Sequence, residues 1–243
     1  MNLMAAVLLA AVVPAPAAPE YVALGDSYAA GVGTDRASCG RTSKAYPELF
    51  AKDRYDLNFK ACSGATTDNV VEQAEVLSPS TALVTVTVGG NDARFAEVMT
   101  TCVFSDDRGC EERAEEAERF VREELPDRLE KLFGSMRSRT GAQVVVLGYP
   151  RLFEKSDPCS LNGPKRAAIN RASDALAEVL GAQATAFSFT FVDVRDRFEG
   201  HGACGADPWV NDLTLLPVTS SYHVNTAGHR DGYLPALREV ASR

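Results

Sequence analysis

Ser27 stands where the first apolar run of the chain must turn. Residues 21–24 resemble a strand, and Gly25 and Asp26 separate them from the serine. Gly, Asp and Ser are ordinary turn formers, each for its own local reason. A serine that ends a strand and opens a helix is also well placed to act as a nucleophile. The tripeptide alone does not decide between a simple turn and a catalytic site, so the rest of the chain must.

A serine hydroxyl is a poor nucleophile unless a base lies within hydrogen-bonding distance. The chain has three histidines that could be this base. His201 lies in the Gly-rich sequence EGHGACG and is interpreted as a loop residue. His229 falls about one turn into the last predicted helix, where a structural or capping role is expected. His223 lies in a loop just before that helix, and this position favours it as the base.

Acyl transfer also requires hydrogen-bond donors that are aimed at the developing oxyanion. The backbone N–H groups of Ser27 and Gly64 could serve, because glycine lets a substrate approach the main chain closely. The side-chain amide of Asn91 is a third candidate donor. Its sequence, GGND, is equally explained as a turn followed by an N-cap. Both interpretations hold together if Asp92 caps the next helix while Asn91 faces the cleft.

Strand and helix patterns alternate along the chain, which predicts how these residues are positioned. Runs that are apolar throughout suit strands covered on both faces, as in a parallel sheet. The alternation predicts an open α/β sandwich with a mainly parallel sheet, in which ligands bind outside the carboxyl ends of the strands. The first three strands end at Ser27, Gly64 and Asn91. The predicted strands are 21–24, 56–63, 82–90, 143–150 and 189–195, and the predicted helices are 46–52, 67–77, 111–139, 164–184 and 226–242.

Composition limits the classes of protein to which the chain can belong. Its 243 residues are 45% hydrophobic, enough for one good core, and no repeat or linker divides them, so residues 20–243 are predicted to be one domain. The net charge of -8 argues against nucleic acid as a partner, because its binding rests on Lys and Arg that neutralise phosphates. The densest charge run mixes both signs at helical spacing and indicates a solvated helix face.

The start of the chain and its cysteines both predict export. Residues 1–19 contain a short apolar run and small residues at Ala15 and Ala17, typical of a secretory signal peptide with an A-x-A cleavage site. No Lys or Arg precedes the run, and a signal-anchor is the alternative. The six cysteines are scattered, without a C-x-x-C pair, which favours disulfides in an oxidising compartment over a zinc site. They are Cys39, Cys62, Cys102, Cys110, Cys159 and Cys204, and the spacing alone leaves their pairing open.

The segments GDS, CSGATT, GGND and H-x-N-x-x-G-H resemble, in order, the four blocks of the SGNH (GDSL) hydrolases. CGRTSKAYPELFA and ACSGATT are similar to the secreted actinobacterial lipase, esterase and phospholipase branch of that family. The resemblance implies Ser27 as nucleophile, His223 as base, and Ser27, Gly64 and Asn91 as oxyanion donors. It also implies a flavodoxin-like three-layer α/β/α sandwich with a mainly parallel five-stranded sheet, and neither metal nor cofactor. The implied disulfides are sequential: Cys39–Cys62, Cys102–Cys110 and Cys159–Cys204.

Two positions depart from the family's pattern. Many members carry an Asp three residues before the histidine, where this chain has Ser220. In the branch that the chain resembles, a main-chain carbonyl takes that role, so the Ser220 carbonyl is expected to orient His223. A carbonyl brings no full charge to stabilise the imidazolium. Val224 stands where relatives usually have proline, which predicts a less rigid histidine loop.

Together these features predict a secreted serine esterase or lipase that acts through an acyl-enzyme. Lipid or phospholipid acyl esters compete with O-acetylated carbohydrate as the substrate. Apolar residues near the site (Val32, Phe95 and Val98) favour an acyl chain, although core packing explains them equally well. The expected partners are a small-molecule or lipid ester and, transiently, a lipid surface, and the expected state is a monomer. The rival interpretations are a non-catalytic extracellular binding protein and a nucleotide-binding module, the latter lacking G-x-G-x-x-G spacing and a Walker lysine.

Overall fold

The computed structural model describes residues 17–35, 38–52, 54–155, 158–216 and 218–241. The predicted signal segment lies outside these residues, except for residues 17–19. The strands are β1 (Glu20–Gly25), β2 (Asp56–Phe59), β3 (Thr81–Thr87), β4 (Gln143–Leu147) and β5 (Thr190–Val192). The helices are α1 (Ser27–Ala30), α2 (Tyr46–Ala51), α3 (Thr67–Gln73), α4 (Phe95–Phe104), α5 (Asp107–Glu123), α6 (Leu125–Arg139), α7 (Gly163–Ala186) and, after a π-helical turn at Gly228–Tyr233, α8 (Leu234–Ala241).

The five strands form one parallel sheet in the order β2-β1-β3-β4-β5. Helices pack in two groups, one containing α3, α5, α6 and α7 and the other containing α2 and α8. The central strands β3 and β4 are buried along almost their whole length, because helices cover both faces of the sheet. The predicted α/β sandwich with a parallel five-stranded sheet is therefore confirmed.

The edge strands and one long helix differ from the sequence prediction. β2 and β5 are shorter than predicted and half-buried, because each has a neighbouring strand on one side only. The predicted helix 111–139 is two helices, α5 and α6, which meet at Glu124. Pro126 lies in the first turn of α6, where its missing N–H costs nothing, whereas a continuous helix would not tolerate it. α4 lies outside the helices that the sequence pattern predicts.

The strand order places the three candidate blocks side by side. β1 lies between β2 and β3, so the Ser27 turn is flanked by the loop that holds Gly64 and by the loop that holds Asn91. All strands are parallel, and these loops therefore leave the sheet at the same edge. The carboxyl edge of the sheet is the place where a site can form.

The described residues contain three disulfides: Cys39–Cys62, Cys102–Cys110, which joins α4 to α5, and Cys159–Cys204. These are the pairs that the family resemblance implies. The first of them joins the loop after α1 to the loop that leads into Gly64, where Ser63 N–H also donates to the Cys39 carbonyl at 2.7 Å. Along the described part of the chain, no helix combines the length and the apolar character needed to cross a bilayer.

Candidate active site

The turn that carries Ser27 depends on each residue of GDS. Gly25 has φ +127°, and a Cβ there would lie 2.3 Å from the Thr87 carbonyl oxygen, so only glycine fits. Asp26 is the N-cap of α1, and its Oδ1 accepts from the Tyr28 N–H at 2.9 Å. Ser27 is the first residue of the helix, so its own N–H has no intrahelical acceptor. The turn therefore leaves both a hydroxyl and an N–H of the serine available at the edge of the sheet.

His223 is hydrogen-bonded to the Ser27 side chain. Its Nε2 lies 2.9 Å from Ser27 Oγ, and its Nδ1 lies 2.9 Å from the carbonyl oxygen of Ser221. A carbonyl oxygen can only accept, so Nδ1 carries the proton and Nε2 is left to accept from the serine hydroxyl. In the described part of the chain, no carboxylate is hydrogen-bonded to the imidazole. Burial lowers the pKa of His223 to about 4, which keeps the ring neutral.

The carbonyl that accepts from His223 Nδ1 belongs to Ser221. The prediction that the Ser220 carbonyl orients the ring is wrong. Tyr222 has φ 59°, in the left-handed region, and turns the chain so that the carbonyl two residues before the histidine faces its ring. The Ser220 carbonyl accepts instead from Asn211 Nδ2 at 3.1 Å and from the backbone N–H of His223 at 3.4 Å. A non-glycine residue at positive φ costs free energy, and such residues cluster at functional sites.

The histidine loop is held by hydrogen bonds to two other segments. The Asn211 N–H donates to the His223 carbonyl at 2.9 Å, and Asn211 Nδ2 donates to the Gly33 carbonyl at 3.0 Å. The Tyr28 hydroxyl donates to the Tyr222 carbonyl at 2.7 Å. Val224 is buried and forms an antiparallel bridge with Val210. The loop is thus tied to the first turn after Ser27 through Tyr222, whereas Val224 ties it to Val210.

The candidate oxyanion donors lie in neighbouring loops. Asn91 Nδ2 donates one N–H to the Ala65 carbonyl at 2.9 Å, which links the loop after β3 to the loop of Gly64 and leaves the second amide N–H unused. Gly64 has φ +84° and open space where a Cβ would be. Among the described residues, neither the Gly64 N–H nor the Ser27 N–H has a protein acceptor. The three candidate groups therefore each keep an N–H that no described protein atom accepts.

Asp92 does not cap the helix that follows it. Its carboxylate accepts from the Thr67 N–H at 3.0 Å and from Thr67 Oγ1 at 2.7 Å, at the start of α3. α4 begins instead after Arg94, which has φ 58° and makes no side-chain cap. The prediction that Asp92 caps the next helix is therefore wrong; its carboxylate binds the first residue of α3 instead, because the loops after β2 and β3 are adjacent. Burial raises the pKa of Asp92.

Tyr149 is a site residue that the sequence analysis missed. Its hydroxyl donates to Asp26 Oδ2 at 2.5 Å and accepts from the Gly90 N–H at 3.2 Å. It therefore bridges the residue before the serine and the residue before Asn91. Burial raises the pKa of Asp26 to about 7, although the bond from Tyr149 opposes this shift. A signal was available, since Tyr149 lies at the end of the fourth predicted strand, 143–150, at the same edge of the sheet.

An apolar cleft extends from Ser27 between the helices. Its first part is lined by Ser27, Asn91, Phe95, Pro150, Leu152 and Leu176. Phe95 and Leu176 also line a second cavity, which Val98, Val121, Ile169 and Ala172 complete. Two of the three apolar residues singled out in the sequence line this cleft, whereas Val32 packs over Gly40. Both cavities are lined mainly by apolar side chains.

The other two histidines do not reach the serine. His201 stacks on Trp209 with ring centroids 3.7 Å apart, in a loop. His229 is fully buried, and its Nδ1 accepts from the Tyr46 N–H at 3.2 Å. Both positions agree with the structural roles that the sequence indicates.

A serine at the end of a central parallel strand, hydrogen-bonded to an oriented neutral imidazole, defines a serine hydrolase of the α/β sandwich type. The chain belongs to the GDSL-like lipase/acylhydrolase family, whose model matches residues 23–230. It is 43% identical to Lipase 1 of Streptomyces coelicolor, over 93% of this chain and 88% of that protein.

Two solved structures are similar over nearly their whole length. The phospholipase A1 from Streptomyces albidoflavus NA297 matches with a TM-score of 0.88 and 41% identity, over 92% of this chain and 99% of that one. The extracellular lipase from Streptomyces rimosus matches with a TM-score of 0.88 and 42% identity, over 91% and 99%. These comparisons confirm the family and establish the chain as an ester hydrolase that acts on a small-molecule or lipid ester.

Proposed function

We propose that this chain is a secreted lipase that cleaves acyl esters of lipids through a Ser27 acyl-enzyme, with His223 as general base. One observation carries the proposal: His223 Nε2 lies 2.9 Å from Ser27 Oγ while Nδ1 is held by the Ser221 carbonyl. In this geometry the base is hydrogen-bonded to the nucleophile, and an orienting group is hydrogen-bonded to the base. Nucleophilic catalysis requires this arrangement.

In the first half of the reaction, Ser27 Oγ attacks the ester carbonyl and His223 Nε2 takes the hydroxyl proton. The oxyanion that forms accepts hydrogen bonds from the N–H groups of Ser27 and Gly64 and from the free amide N–H of Asn91. When the tetrahedral intermediate collapses, His223 returns the proton to the leaving alcohol oxygen. The acyl group remains on Ser27.

In the second half, His223 takes a proton from a water molecule that attacks the acyl-enzyme, and the fatty acid leaves as Ser27 regains its proton. The imidazole is charged only from the moment it takes a proton until it returns that proton. The Ser221 carbonyl stabilises that charge through its dipole rather than through a full negative charge, and it keeps the ring in the required tautomer throughout.

The shape and lining of the cleft support a long acyl chain over an acetyl group. An acetyl group would leave most of the apolar wall formed by Phe95, Leu176 and the second cavity exposed to water. We therefore place O-acetylated carbohydrate behind lipid esters. Phospholipid is the second candidate substrate, and it is favoured by Arg41 and Lys60, which line the cavity beside Gly64 and could face a phosphate.

Secretion is supported by three observations. All six cysteines are paired, which suits an oxidising compartment. The sequence of residues 1–19 is typical of a signal peptide. One of the similar structures is that of an extracellular lipase.

The proposal is tested with p-nitrophenyl esters from acetate to palmitate, beside a triglyceride, phosphatidylcholine and acetylated xylan. We expect activity to increase towards long chains and a fluorophosphonate probe to label Ser27 alone. Ser27→Ala should remove nearly all hydrolysis and all labelling while the folded state persists. Preference for acetylated xylan, or label on another residue, would contradict the proposal.

A further inference from the structure

The exposed large apolar side chains of the described residues are concentrated beside the histidine loop. Leu213 is 40% exposed, Leu215 85%, Leu216 88% and Val218 64%. We call these four residues the leucine rim. Apart from Phe104, they are all the large hydrophobic residues that the described part of the chain exposes. Single exposed leucines are normal on a protein surface, whereas a cluster indicates an interaction site.

The leucine rim is anchored to the loop that carries His223. The Tyr222 N–H donates to the Asn211 carbonyl at 3.0 Å, where the chain enters and leaves the rim. The Thr214 N–H donates to Ser221 Oγ at 2.9 Å. Ser221 is the residue whose carbonyl holds the imidazole, so the rim projects from the wall of the active site. A surface that binds the rim would lie beside Ser27.

The charges around the leucine rim indicate what kind of surface it fits. Residues 213–222 contain no charged side chain, although 24% of the chain is charged and its net charge is -8. An acidic protein is repelled by an anionic surface, so attraction to anionic lipid or to a polyanion is disfavoured. An uncharged segment that exposes leucines gains free energy by burying them in an apolar phase.

We propose that the leucine rim is an interfacial docking element, which inserts into the surface of a zwitterionic or uncharged lipid aggregate. Insertion would bring the entrance of the cleft to esters that are nearly absent from bulk water. The inference deepens the proposed function and rests on it, since only a lipid ester has to be collected from such a surface. It assigns the leucine rim as the surface that contacts lipid aggregates, beside a site whose chemistry is already described.

Insertion is tested in the Ser27→Ala background, so that no lipid is consumed. Leu216→Trp places an indole at the rim, in addition to the single native tryptophan, Trp209. With phosphatidylcholine vesicles we expect its emission to shift to shorter wavelength and to be quenched by brominated acyl chains. Ser138→Trp is the matched control, because Ser138 is exposed near the end of α6, at the amino edge of the sheet opposite the site. The control should show neither effect.

The contribution of the rim to binding is tested with Leu215→Ser/Leu216→Ser, also in the Ser27→Ala background. Affinity for the same vesicles should fall at least about tenfold, because burying one leucine is worth more than one decade in affinity. Raising the salt concentration should not weaken binding, since no charge pairing is involved. With active Ser27, the double variant should lose a similar factor on emulsified triglyceride while hydrolysing dissolved p-nitrophenyl butyrate at the original rate.

Several outcomes would overturn the docking role. These are vesicle affinity that is unchanged in the double variant, Leu216→Trp emission that is insensitive to vesicles, or a dimer in light scattering that the double variant dissociates. The last would make the rim a contact between two copies of the chain. Rim-dependent vesicle binding in a protein that cleaves no ester would uphold docking and refute the proposed function. Ester cleavage by a protein whose vesicle binding does not depend on the rim would uphold the proposed function and refute docking.

Discussion

At the scale of single residues, His223 is oriented by the Ser221 carbonyl, and this choice of partner affects how the ring titrates. A carboxylate partner would raise the pKa of the imidazole by stabilising its charged form. The carbonyl carries only a dipole, so burial prevails and lowers the pKa to about 4. The base is then neutral, and able to accept a proton, well below neutral pH.

We therefore predict that kcat/KM on a dissolved ester holds from neutral pH down to about pH 5 and falls by half near pH 4. The sign follows because protonation removes the base, and protonation requires the pH to drop through the lowered pKa of His223. A pH profile measured with p-nitrophenyl butyrate checks it. A decline centred near the ordinary histidine pKa of about 6.5 would contradict it.

Asp26 is the second group that could appear in that profile, since its pKa is raised to about 7. The two assignments are separated by repeating the measurement with Asp26→Asn. The acidic limb should stay in place if it belongs to His223, and a limb near pH 7 that the variant removes would belong to Asp26 instead.

At the scale of elements, the site is assembled from the ends of four strands. Tyr149, after β4, connects the turn of Ser27 to the loop of Asn91 through Asp26 and the Gly90 N–H. The connection holds the proposed nucleophile and a proposed oxyanion donor in one geometry, and small displacements of either are costly to catalysis.

Tyr149→Phe should lower kcat by roughly tenfold with little change in KM, because the substrate cleft keeps its shape. It should also cost about 1–3 kcal/mol of stability, since the buried Asp26 loses a donor. Steady-state kinetics and urea unfolding measure the two effects. Tyr21→Phe is the matched control, because that buried hydroxyl is hydrogen-bonded to Thr85 Oγ1 at 2.7 Å and belongs to a residue near the amino end of β1. An equal kcat loss in both variants would reduce Tyr149 to a packing role.

The helices α4, α5 and α7 form the apolar cleft, and they predict how chain length is selected. Ala172→Trp should fill the second cavity and lower activity on palmitate at least about tenfold, while butyrate is cleaved within about twofold of the original rate. The ester series measures this. Ala182→Trp, exposed on the same helix, should leave the preference unchanged. Equal losses on both esters would place the acyl chain elsewhere.

At the scale of the whole molecule, the disulfides differ in what they hold. Cys39–Cys62 closes a separation of 23 residues and joins the loop after α1 to the loop that leads into Gly64. Cys102–Cys110 closes a separation of only 8 residues and joins α4 to α5. The chain-entropy effect grows slowly with loop length, so both bridges should stabilise the fold by similar amounts.

Replacing either pair with serines should therefore cost about 2–4 kcal/mol in unfolding free energy. Only Cys39→Ser/Cys62→Ser should also lower kcat, because it releases the loop of Gly64. Denaturant unfolding and kinetics of the two double variants provide the measurements. A kcat loss confined to Cys102→Ser/Cys110→Ser would refute this division.

The sequence by itself determined the features that depend on local pattern. Apolar runs and their spacing predict the parallel sheet, and the residues at the ends of the first three strands predict Ser27, Gly64 and Asn91 as one site. Parallel strands bring their ends to one edge whatever the details of packing, so this inference needs no tertiary information. His223 was likewise identified from its place before the last helix.

Only the tertiary structure decided the pairings between distant segments. Asp92 caps α3 rather than α4, because two loops that are separate in sequence are adjacent at the sheet edge. The Ser221 carbonyl replaces that of Ser220, because Tyr222 takes a left-handed conformation that no sequence pattern specifies. Tyr149 reaches Asp26 across 123 positions of the chain. Hydrogen bonds of this kind are satisfied by whichever partner the fold brings near, so their partners follow from packing and not from spacing.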